Sequence, residues 1–263
     1  MGSILNIVDK NLFPAPEPSY NFQTFTGDAY IEFVNSQYEQ NKENTHQIPL
    51  LVIPYYENGI LNDKYLVYFH GNAEDIGLSY QFLFSMQMIL KMNIIAVEYP
   101  GYGIYKSRKT TAECIKSDSL TAYNYILKRF KTREQNITIL GRSIGSGPAS
   151  YVASKQTPKA LVLISAYISI KHLIGHHICN CISFFISERF NNIECMNSVS
   201  SPVLLIHGMQ DTLIPPNNSQ MLQQRLKSQN KIVTGIYHKH MTHNDFDERN
   251  DISIKIKQFL ETI

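Results

Sequence analysis

Short apolar runs alternate with longer amphipathic stretches along this chain. Several of the runs are continuously apolar, which is typical of strands that are buried on both faces of a parallel sheet. Strand followed by helix, repeated along the chain, predicts an α/β fold with a mostly parallel, doubly wound sheet. The predicted strands are "LLVIPYY", "YLVYFHG", "NIIAVEYPG", "ITILGRS", "ALVLIS", "PVLLIHG" and a weaker last one, "KIVTGIY".

The helical patterns fall between these runs. One of them covers residues 110–130, and Thr110 with Glu113 has the spacing of a capping box at its start. A helix is therefore predicted to begin at Thr110. The other predicted helices follow Ser143, Pro216 and Asp251.

Residues 166–201 separate two predicted strands by more chain than an ordinary crossover requires. The segment is apolar and contains "SIKHLIGHHICNCISFFISERF". Two interpretations fit it equally: an elaborated crossover helix packed on the sheet, or a short cap that would form one wall of an acyl pocket. With this insertion included, the chain of 263 residues predicts a single domain over residues 1–263.

Composition narrows the function classes. Apolar residues make up 43% of the chain and the formal net charge is +2, which is ordinary for a folded protein. Lysine and arginine are scattered without a basic stripe, so nucleic acid is not an expected partner. The apolar runs are too short to cross a bilayer, no secretory signal is recognisable, and the four cysteines are too few to staple the chain. We expect a cytoplasmic protein with at most peripheral membrane contact.

A candidate nucleophile stands where a predicted strand gives way to a helical pattern. Residues 141–145 read G-x-S-x-G, with Ser143 at the centre, directly after "ITIL". A serine on a sharp strand-to-helix turn needs small neighbours, because the turn forces its backbone into an unusual conformation and exposes its hydroxyl. The bare motif is only moderately specific. Its place between strand and helix is what predicts a nucleophile at Ser143.

A nucleophilic serine requires a histidine base and an acid that orients the base. In folds of this kind the partners follow in the order Ser, Asp, His. Asp211 stands in "LLIHGMQDTLIP" at the exit of a predicted strand, and His243 stands in "MTHNDF" after the last strand. A turn role for Asp211 fits the spacing as well. The other bases and acids that spacing leaves open are His238, His240, Asp245 and Asp247.

An oxyanion hole would combine two backbone N–H groups near the nucleophile. One belongs to the residue after the serine, here Ile144. The other belongs to a loop after an earlier strand, and "HGNAEDIG" follows a predicted strand two strands before Ser143. We choose Asn72 as this second donor, with an ordinary turn as the alternative interpretation of "HGNA".

Together these segments resemble the serine α/β hydrolases, in particular the α/β hydrolase domain-containing protein 17 group and the Bem46-like proteins. The resemblance implies an α/β hydrolase fold and a triad of Ser143, Asp211 and His243. It selects His243 because the family's histidine precedes an Asn-Asp pair, as His243 does here. The segments that carry it, in the family's order, are "FPAPEPSY", "FHGNAEDIG", "EYPGYG", "GRSIGSGP", "SPVLLIHGMQD" and "HND".

The same resemblance implies a substrate class. The group removes palmitate from cysteines of membrane-attached proteins, so it implies cleavage of acyl thioesters or esters through an acyl-enzyme, with an S-acylated protein as a candidate partner and no cofactor or metal. The family's depalmitoylases carry an N-terminal cysteine cluster that docks them at membranes, whereas no cysteine precedes Cys114 here. Serine hydrolysis is therefore the more direct implication.

Three alternative functions remain open from the sequence. A generic carboxylesterase or lipase-like hydrolase would use the same triad, because the fold does not identify the substrate. A non-catalytic binding protein would keep the fold without the chemistry. A metal site is a third possibility, since soft and borderline ligands cluster in the long insertion. Its ligands would come from His172, His176, His177, Cys179 and Cys181.

Overall fold

The computed structural model describes residues 12–38, 46–177 and 188–263, and for residues 176 and 177 it describes the backbone alone. The chain forms two compact units, Met1–Thr132 and Arg133–Ile263. The single domain over residues 1–263 stays a prediction.

The first unit, Met1–Thr132, contains a mixed set of four paired strands. They are β1 (Tyr30–Asn35), β2 (Gln47–Ile53), β5 (Tyr65–Phe69) and β6 (Asn93–Val97). β2 pairs antiparallel with both β1 and β6, whereas β5 runs parallel to β6. β5 and β6 are buried along their whole length, which fits their continuous apolar sequences.

A small hairpin also belongs to the first unit. Its strands are β3 (Tyr56–Glu57) and β4 (Ile60–Leu61), which pair antiparallel. The two residues between them, Asn58 and Gly59, have φ values of 53° and 78°. Both angles are those of a tight two-residue hairpin turn, for which Asn-Gly is a favoured sequence.

The described residues of the first unit include the helices α1 (Tyr80–Leu90) and α2 (Ala112–Arg129). α2 is the helix predicted over residues 110–130, but its cap differs from the prediction. Thr111 is the N-cap residue and its side chain accepts a hydrogen bond from the Cys114 N–H. The hydroxyl of Thr110 donates instead to the Pro100 carbonyl. The predicted capping box at Thr110 is wrong by one residue, because this threonine is used to hold a neighbouring turn.

The turn "EYPGYG" of the first unit is built on a buried carboxylate. Glu98 accepts a hydrogen bond from the Tyr20 hydroxyl at 2.8 Å and lies 3.0 Å from Nε2 of His70. Both His70 and Glu98 are fully buried. Burial alone would lower the pKa of His70, but the hydrogen bond with Glu98, the negative charges of Glu98 and Glu74, and the Gly71 carbonyl together outweigh burial and raise that pKa. The turn is therefore fixed by a buried ion pair.

The described part of the second unit, Arg133–Ile263, contains four strands that are all parallel. In spatial order they are β7 (Ile137–Arg142), β8 (Ala160–Ile164), β9 (Val203–Gly208) and β10 (Val233–His238). β8 and β9 are buried at every position, and β10 is partly exposed throughout. Because parallel strands end at the same edge of a sheet, the residues after β7, β9 and β10 can meet there.

Helices connect these parallel strands. β7 leads through a 3₁₀ turn, Ser143–Gly145, into α3 (Ser146–Lys155). β9 leads into α6 (Asn217–Lys227), and β10 leads through a π-helix, Glu248–Ser253, into α7 (Ile254–Leu260). The predicted helices after Ser143 and Pro216 are therefore present. The one predicted after Asp251 begins at Ile254, because Asp251 itself lies in the π-helix.

The insertion over residues 166–201 contains α4 (Ile170–His177) and α5 (Asn192–Cys195). Its two ends are joined by a β-bridge between Ser169 and Asn191. α5 packs against α3 and α6, and the side-chain N–H of Asn192 donates to Ser146 Oγ at 3.0 Å. The end of the insertion is thus part of the helix layer. Residues 178–187 lie outside the described residues, so cap and crossover both remain predictions for the earlier part.

All seven apolar runs that predicted strands form strands, and the predicted α/β class is confirmed. Within the described ranges, no helix is both long enough and apolar enough to cross a membrane.

Candidate active site

Ser143 lies on a sharp turn between β7 and α3. Its φ is 53°, in the left-handed region that costs a serine on the order of 1 kcal/mol or more. Gly141 allows the turn to close, since a Cβ atom there would lie only 2.4 Å from the Gly145 carbonyl oxygen and 2.6 Å from the Ala149 Cβ. The predicted strand-to-helix elbow is therefore present. It is formed by the apolar strand β7, by Gly141, which has no side chain, and by Ser143 with its strained backbone.

Three of the predicted site residues meet in the second unit. Nε2 of His243 lies 3.0 Å from Oγ of Ser143, and Nδ1 of the same ring lies 2.8 Å from Oδ2 of Asp211. All three side chains are buried. The Nδ1–H group donates to the carboxylate, so Nε2 is free to accept the serine hydroxyl proton. The geometry is that of a nucleophile, a base and an orienting acid in line.

Asp211 is held by the loop after β9. Its Oδ1 accepts hydrogen bonds from the N–H groups of Leu213 at 3.0 Å and Ile214 at 2.8 Å. Burial alone would raise the pKa of Asp211, but hydrogen bonds from His207, His243 and the Ile214 N–H outweigh it and hold that pKa below its usual range. The carboxylate is therefore charged at neutral pH, as an orienting acid requires.

A close backbone approach joins the loops that carry Asp211 and His243. A Cβ atom on Gly208 would lie 2.1 Å from the Met241 carbonyl oxygen. That carbonyl accepts a hydrogen bond from the Gln210 N–H at 3.1 Å, and the Met209 N–H donates to the His238 carbonyl at 2.8 Å. The glycine at the end of β9 thus sets the spacing between the loops of Asp211 and His243.

The alternative histidines occupy a different cluster. Nε2 of His240 lies 2.9 Å from Oδ2 of Asp251, and Nδ1 of His238 lies 3.4 Å from Oδ1 of the same residue. The alternative acids are also used elsewhere. Asp247 caps the π-helix through the N–H groups of residues 249 and 250, and Asp245 bonds through its backbone to Thr242.

The two predicted oxyanion donors lie in different units. Ile144 follows Ser143 in the 3₁₀ turn and is buried, and its carbonyl accepts a hydrogen bond from the Tyr167 hydroxyl at 3.2 Å. Asn72 follows β5 in the first unit. Its side-chain N–H donates to the Leu12 carbonyl at 2.8 Å, and its side-chain oxygen accepts from the Tyr102 hydroxyl at 2.9 Å. Their shared role as oxyanion donors stays a prediction.

The ligands of the metal site that was left open as an alternative for the insertion are largely outside the described residues. Cys179 and Cys181 fall in the range 178–187, and the side chains of His176 and His177 are not described. His172 lies in α4, where its backbone N–H donates to Ser169 Oγ.

A sequence profile described as "Serine hydrolase (FSH1)" matches residues 92–249, which is more than half of the chain. The matched range contains Ser143, Asp211 and His243. The chain belongs to this serine hydrolase family.

The serine hydrolase is also similar to curated proteins. It is 29% identical to human alpha/beta hydrolase domain-containing protein 17B over 200 residues, which are 76% of this chain and 67% of that protein. It is 27% identical to the Xenopus laevis 17C protein over 195 residues, which are 74% of this chain and 60% of that protein. The match thus spans between three-fifths and two-thirds of these relatives.

Solved structures support the fold. The Pyrococcus furiosus esterase Pf2001 superposes with a TM-score of 0.72 at 17% identity and covers 95% of this chain and 98% of its own. Est1E from Butyrivibrio proteoclasticus gives a TM-score of 0.67 at 15% identity, over 88% of this chain and 98% of its own. At such identities the likeness concerns architecture, and it confirms the α/β hydrolase fold predicted from the sequence.

Arg142 is a site residue of the hydrolase that sequence reasoning treated only as a variable position of the motif. Its guanidinium donates to the side-chain oxygen of Asn244 at 2.8 Å and to the His243 carbonyl at 3.3 Å. It also lies over the ring of Phe246, 5.7 Å from the centroid. The residue before Ser143 thus holds the loop that carries His243.

We expect Arg142→Met to lower kcat by about tenfold, because small displacements of a base from its nucleophile are costly. Steady-state kinetics with any turned-over ester measures this. Asn244→Ala removes one acceptor of the Arg142 guanidinium. The fold-loss in kcat of the double variant should therefore be smaller than the product of the fold-losses of the two single variants. A positioning role for Arg142 would be contradicted if the fold-losses in kcat simply multiplied in the double variant. It would also be contradicted if Arg142→Met kept the wild-type kcat.

His207 is a second residue that the sequence analysis missed. Its Nδ1 lies 2.6 Å from Ser219 Oγ, and its Nε2 lies 2.8 Å from the Ile214 carbonyl and 3.3 Å from Oδ2 of Asp211. The ring is fully buried. With the Ser219 hydroxyl donating to Nδ1, the Nε2–H group is directed toward the carboxylate. A histidine four residues before an acid at a strand exit was the available signal.

Proposed function

We propose that this serine hydrolase cleaves acyl thioesters or esters through an acyl-enzyme on Ser143. The observation that supports the proposal most directly is the line of hydrogen bonds from Asp211 through His243 to the Ser143 hydroxyl. An unassisted serine hydroxyl is a weak nucleophile, and a base within hydrogen-bond reach is what activates it.

In the proposed mechanism, Nε2 of His243 takes the hydroxyl proton as Oγ of Ser143 attacks the acyl carbonyl carbon. Asp211 keeps the Nδ1–H group in place and stabilises the imidazolium that forms. His243 then returns the proton to the departing thiolate or alkoxide, which leaves as thiol or alcohol. A water molecule, deprotonated by the same ring, attacks the acyl carbonyl carbon. The bond to Oγ of Ser143 then breaks, the ring returns the proton to Oγ, and the carboxylic acid is released. These steps need no cofactor.

The negative charge on the carbonyl oxygen requires donors that are in place before the reaction. We assign this role to the backbone N–H groups of Ile144 and Asn72, each typically worth about 3 kcal/mol in such sites. Ile144 also stands at the start of the α3 segment, where the helix dipole favours negative charge. The side chain of Asn72 is engaged with Leu12 and Tyr102, so the proposal uses its backbone N–H group.

For the substrate we propose a long-chain acyl thioester, such as an S-acylated protein. The similarity to the domain-containing protein 17 hydrolases supports this class. Two large apolar side chains beside Asp211, Met209 and Leu213, are 45% and 52% exposed, and they suit an apolar acyl chain. A short-chain carboxylesterase is the second candidate, favoured by the fold likeness to the two esterases.

The test combines labelling with a substrate comparison. The folded protein is treated with a fluorophosphonate probe, and the adduct is located by peptide mass spectrometry, with heat-denatured protein as the control. We expect one adduct, on Ser143, in the folded sample alone. Values of kcat/KM are then compared for a palmitoyl-thioester peptide and a short-chain oxygen ester.

Each outcome selects one function. An adduct on Ser143 with a higher kcat/KM for the palmitoyl thioester supports the proposal. An adduct with a preference for the short oxygen ester replaces it with a carboxylesterase. A folded protein that takes no label at Ser143 and turns over neither substrate would contradict the mechanism and favour a non-catalytic binding protein.

A further inference from the structure

Three metal-ligating side chains converge beyond the carboxyl end of β10. His238 ends that strand, His240 follows two residues later, and Asp251 comes from the π-helix. One ligand atom from each lies within 4.8 Å of the other two. The wider turn of a π-helix is uncommon and is often found at functional sites. None of these side chains belongs to the line of hydrogen bonds through Ser143.

The surroundings of His238 make this cluster more than a hydrogen-bonded group. Nε2 of His238 lies 3.1 Å from the backbone carbonyl of Asp251, which can only accept, so Nε2 carries a proton. In the neutral ring, Nδ1 is then an acceptor. This Nδ1 lies 3.4 Å from Oδ1 of Asp251, which is also an acceptor. Two facing acceptors repel each other unless a cation lies between them. That cation is either a proton on Nδ1 or a metal ion.

The same contacts match the support that metal ligands receive in proteins. A metal-bound histidine usually donates its other ring N–H to a backbone carbonyl or carboxylate, as Nε2 of His238 does. Ligating carboxylates are themselves hydrogen-bonded, and Oδ2 of Asp251 accepts the Asp247 N–H at 2.9 Å. The His238 ring is thus oriented by the backbone of Asp251, and the Asp251 carboxylate is oriented by the Asp247 N–H.

One of the two measured distances suits a small tetrahedral ion, and the other is a hydrogen bond that would lengthen by about 0.5 Å when the ion replaces its proton. Two ligand atoms about 2.1 Å from Zn²⁺ in tetrahedral geometry are about 3.4 Å apart. The separation of His238 Nδ1 from Asp251 Oδ1 is 3.4 Å, and that of His240 Nε2 from Asp251 Oδ2 is 2.9 Å. The His238 and Asp251 side chains are 13% and 7% exposed, whereas His240 is 67% exposed. The open side leaves a fourth position for water.

We propose that His238, His240 and Asp251 form a binding site for a borderline divalent transition-metal ion, best represented by Zn²⁺. The donor set of two imidazoles and one carboxylate favours such an ion over Ca²⁺ or Mg²⁺, which prefer oxygen ligands alone. Binding displaces the proton between His240 and Asp251 to solvent. The ion has no part in the proposed acyl chemistry.

The site shares its backbone with the loops of the hydrolytic centre. The His238 carbonyl accepts from the Met209 N–H, and the Met241 carbonyl accepts from the Gln210 N–H. His240 is three residues before His243. A bound ion would therefore clamp the segment between β10 and His243 to the π-helix, and it would stabilise the folded state by mass action.

The test measures Zn²⁺ binding by the full chain after removal of any histidine tag, in competition with a chromophoric chelator at neutral pH. We expect one Zn²⁺ per chain. His240→Ala, at an exposed position where folding is not at risk, should weaken binding by about 100-fold or more. His172→Ala is the matched control and should bind as the wild type does. Co²⁺ should give the intense visible absorption of four-coordinate geometry, and this should be absent in His240→Ala.

A second variant and a thermal measurement separate the outcomes. Asp251→Asn keeps the side-chain shape but removes the charge, and it should also weaken binding. Zn²⁺ should raise the Tm of the wild type and of Ser143→Ala, but not that of His240→Ala. Absence of stoichiometric binding by the wild type would overturn the proposal in favour of a protonated His238. Equal binding by His240→Ala, or loss of binding in His172→Ala alone, would place the ion elsewhere.

Discussion

Ser143→Ala is expected to lower kcat for acyl ester or thioester hydrolysis by about 10⁶-fold, the loss typical when a triad nucleophile is removed. The methyl group of alanine cannot form the acyl-enzyme, because the variant has no hydroxyl at this position. Substrate binding should persist, because the variant keeps the surrounding loops. The measurement is steady-state kinetics with a substrate that the wild type turns over, together with a binding assay for the acid product.

Ser150→Ala is the matched control for this loss. Ser150 lies on α3, seven residues after Ser143, and is fully buried. Its hydroxyl has no hydrogen-bond partner within the described part of the chain. Removing it should leave kcat and Tm unchanged. A comparable loss of activity in both variants would indicate a disturbance of α3 rather than removal of a nucleophile. A Ser143→Ala variant with the wild-type kcat would exclude Ser143 as the nucleophile.

Asp211→Asn should lower kcat by about 10⁴-fold with little change in KM. The amide can present an N–H group to Nδ1 of His243, which favours the ring tautomer that has its proton on Nε2. That tautomer cannot accept the Ser143 hydroxyl proton. The carboxylate charge that stabilises the imidazolium is lost as well. The decisive readout is kcat measured against pH, in parallel with a near-ultraviolet circular dichroism spectrum that checks the fold.

Asp245→Asn provides the comparison, because Asp245 is also a carboxylate near His243 in the sequence. Its structural contacts with Thr242 run through its backbone, and they survive the substitution. Its kcat should match that of the wild type. Since the pKa of Asp211 lies below its usual range, protonation of this group should not limit wild-type activity in mildly acidic solution. A larger loss of kcat in Asp245→Asn than in Asp211→Asn would make Asp245, rather than Asp211, the orienting acid.

The alternation of apolar runs and helical patterns was enough to predict the strands that position the site. β7 and β9 carry their own signals, because buried parallel strands are continuously apolar. β10 is partly exposed and therefore gave only the weaker run "KIVTGIY". β1 was missed because only one of its six positions, Val34, is fully buried. The hairpin of β3 and β4 was missed because two residues per strand leave no period to detect.

The line from Ser143 to Asp211 could be predicted because each residue stands at the end of a strand with a motif around it. Of the residues that orient this line, Arg142 had no such signal, and His207 had only its position four residues before Asp211. Arg142 and His207 act through contacts with Asn244 and Asp211, which lie far away in the sequence or across a loop. The partner that a long side chain contacts depends on the final conformation of the loops. It cannot be predicted from the spacing of residues along the chain.

The cluster of His238, His240 and Asp251 illustrates the same limit. Spacing made the two histidines rivals for the role of base, and a helix was predicted only after Asp251. The π-helix turns residues 248–253 differently from an α-helix, and this brings Asp251 to the histidines. A π-helix has no reliable sequence pattern, so the grouping could not be foreseen.

The positive φ of Ser143 places stability and activity in opposition at one position. Glycine adopts such an angle without the steric cost that a side chain incurs. A directed-evolution experiment that rewards heat resistance alone would therefore tend to enrich glycine at position 143 and discard the hydroxyl. Engineering of this protein for robustness should select for turnover and thermal tolerance together.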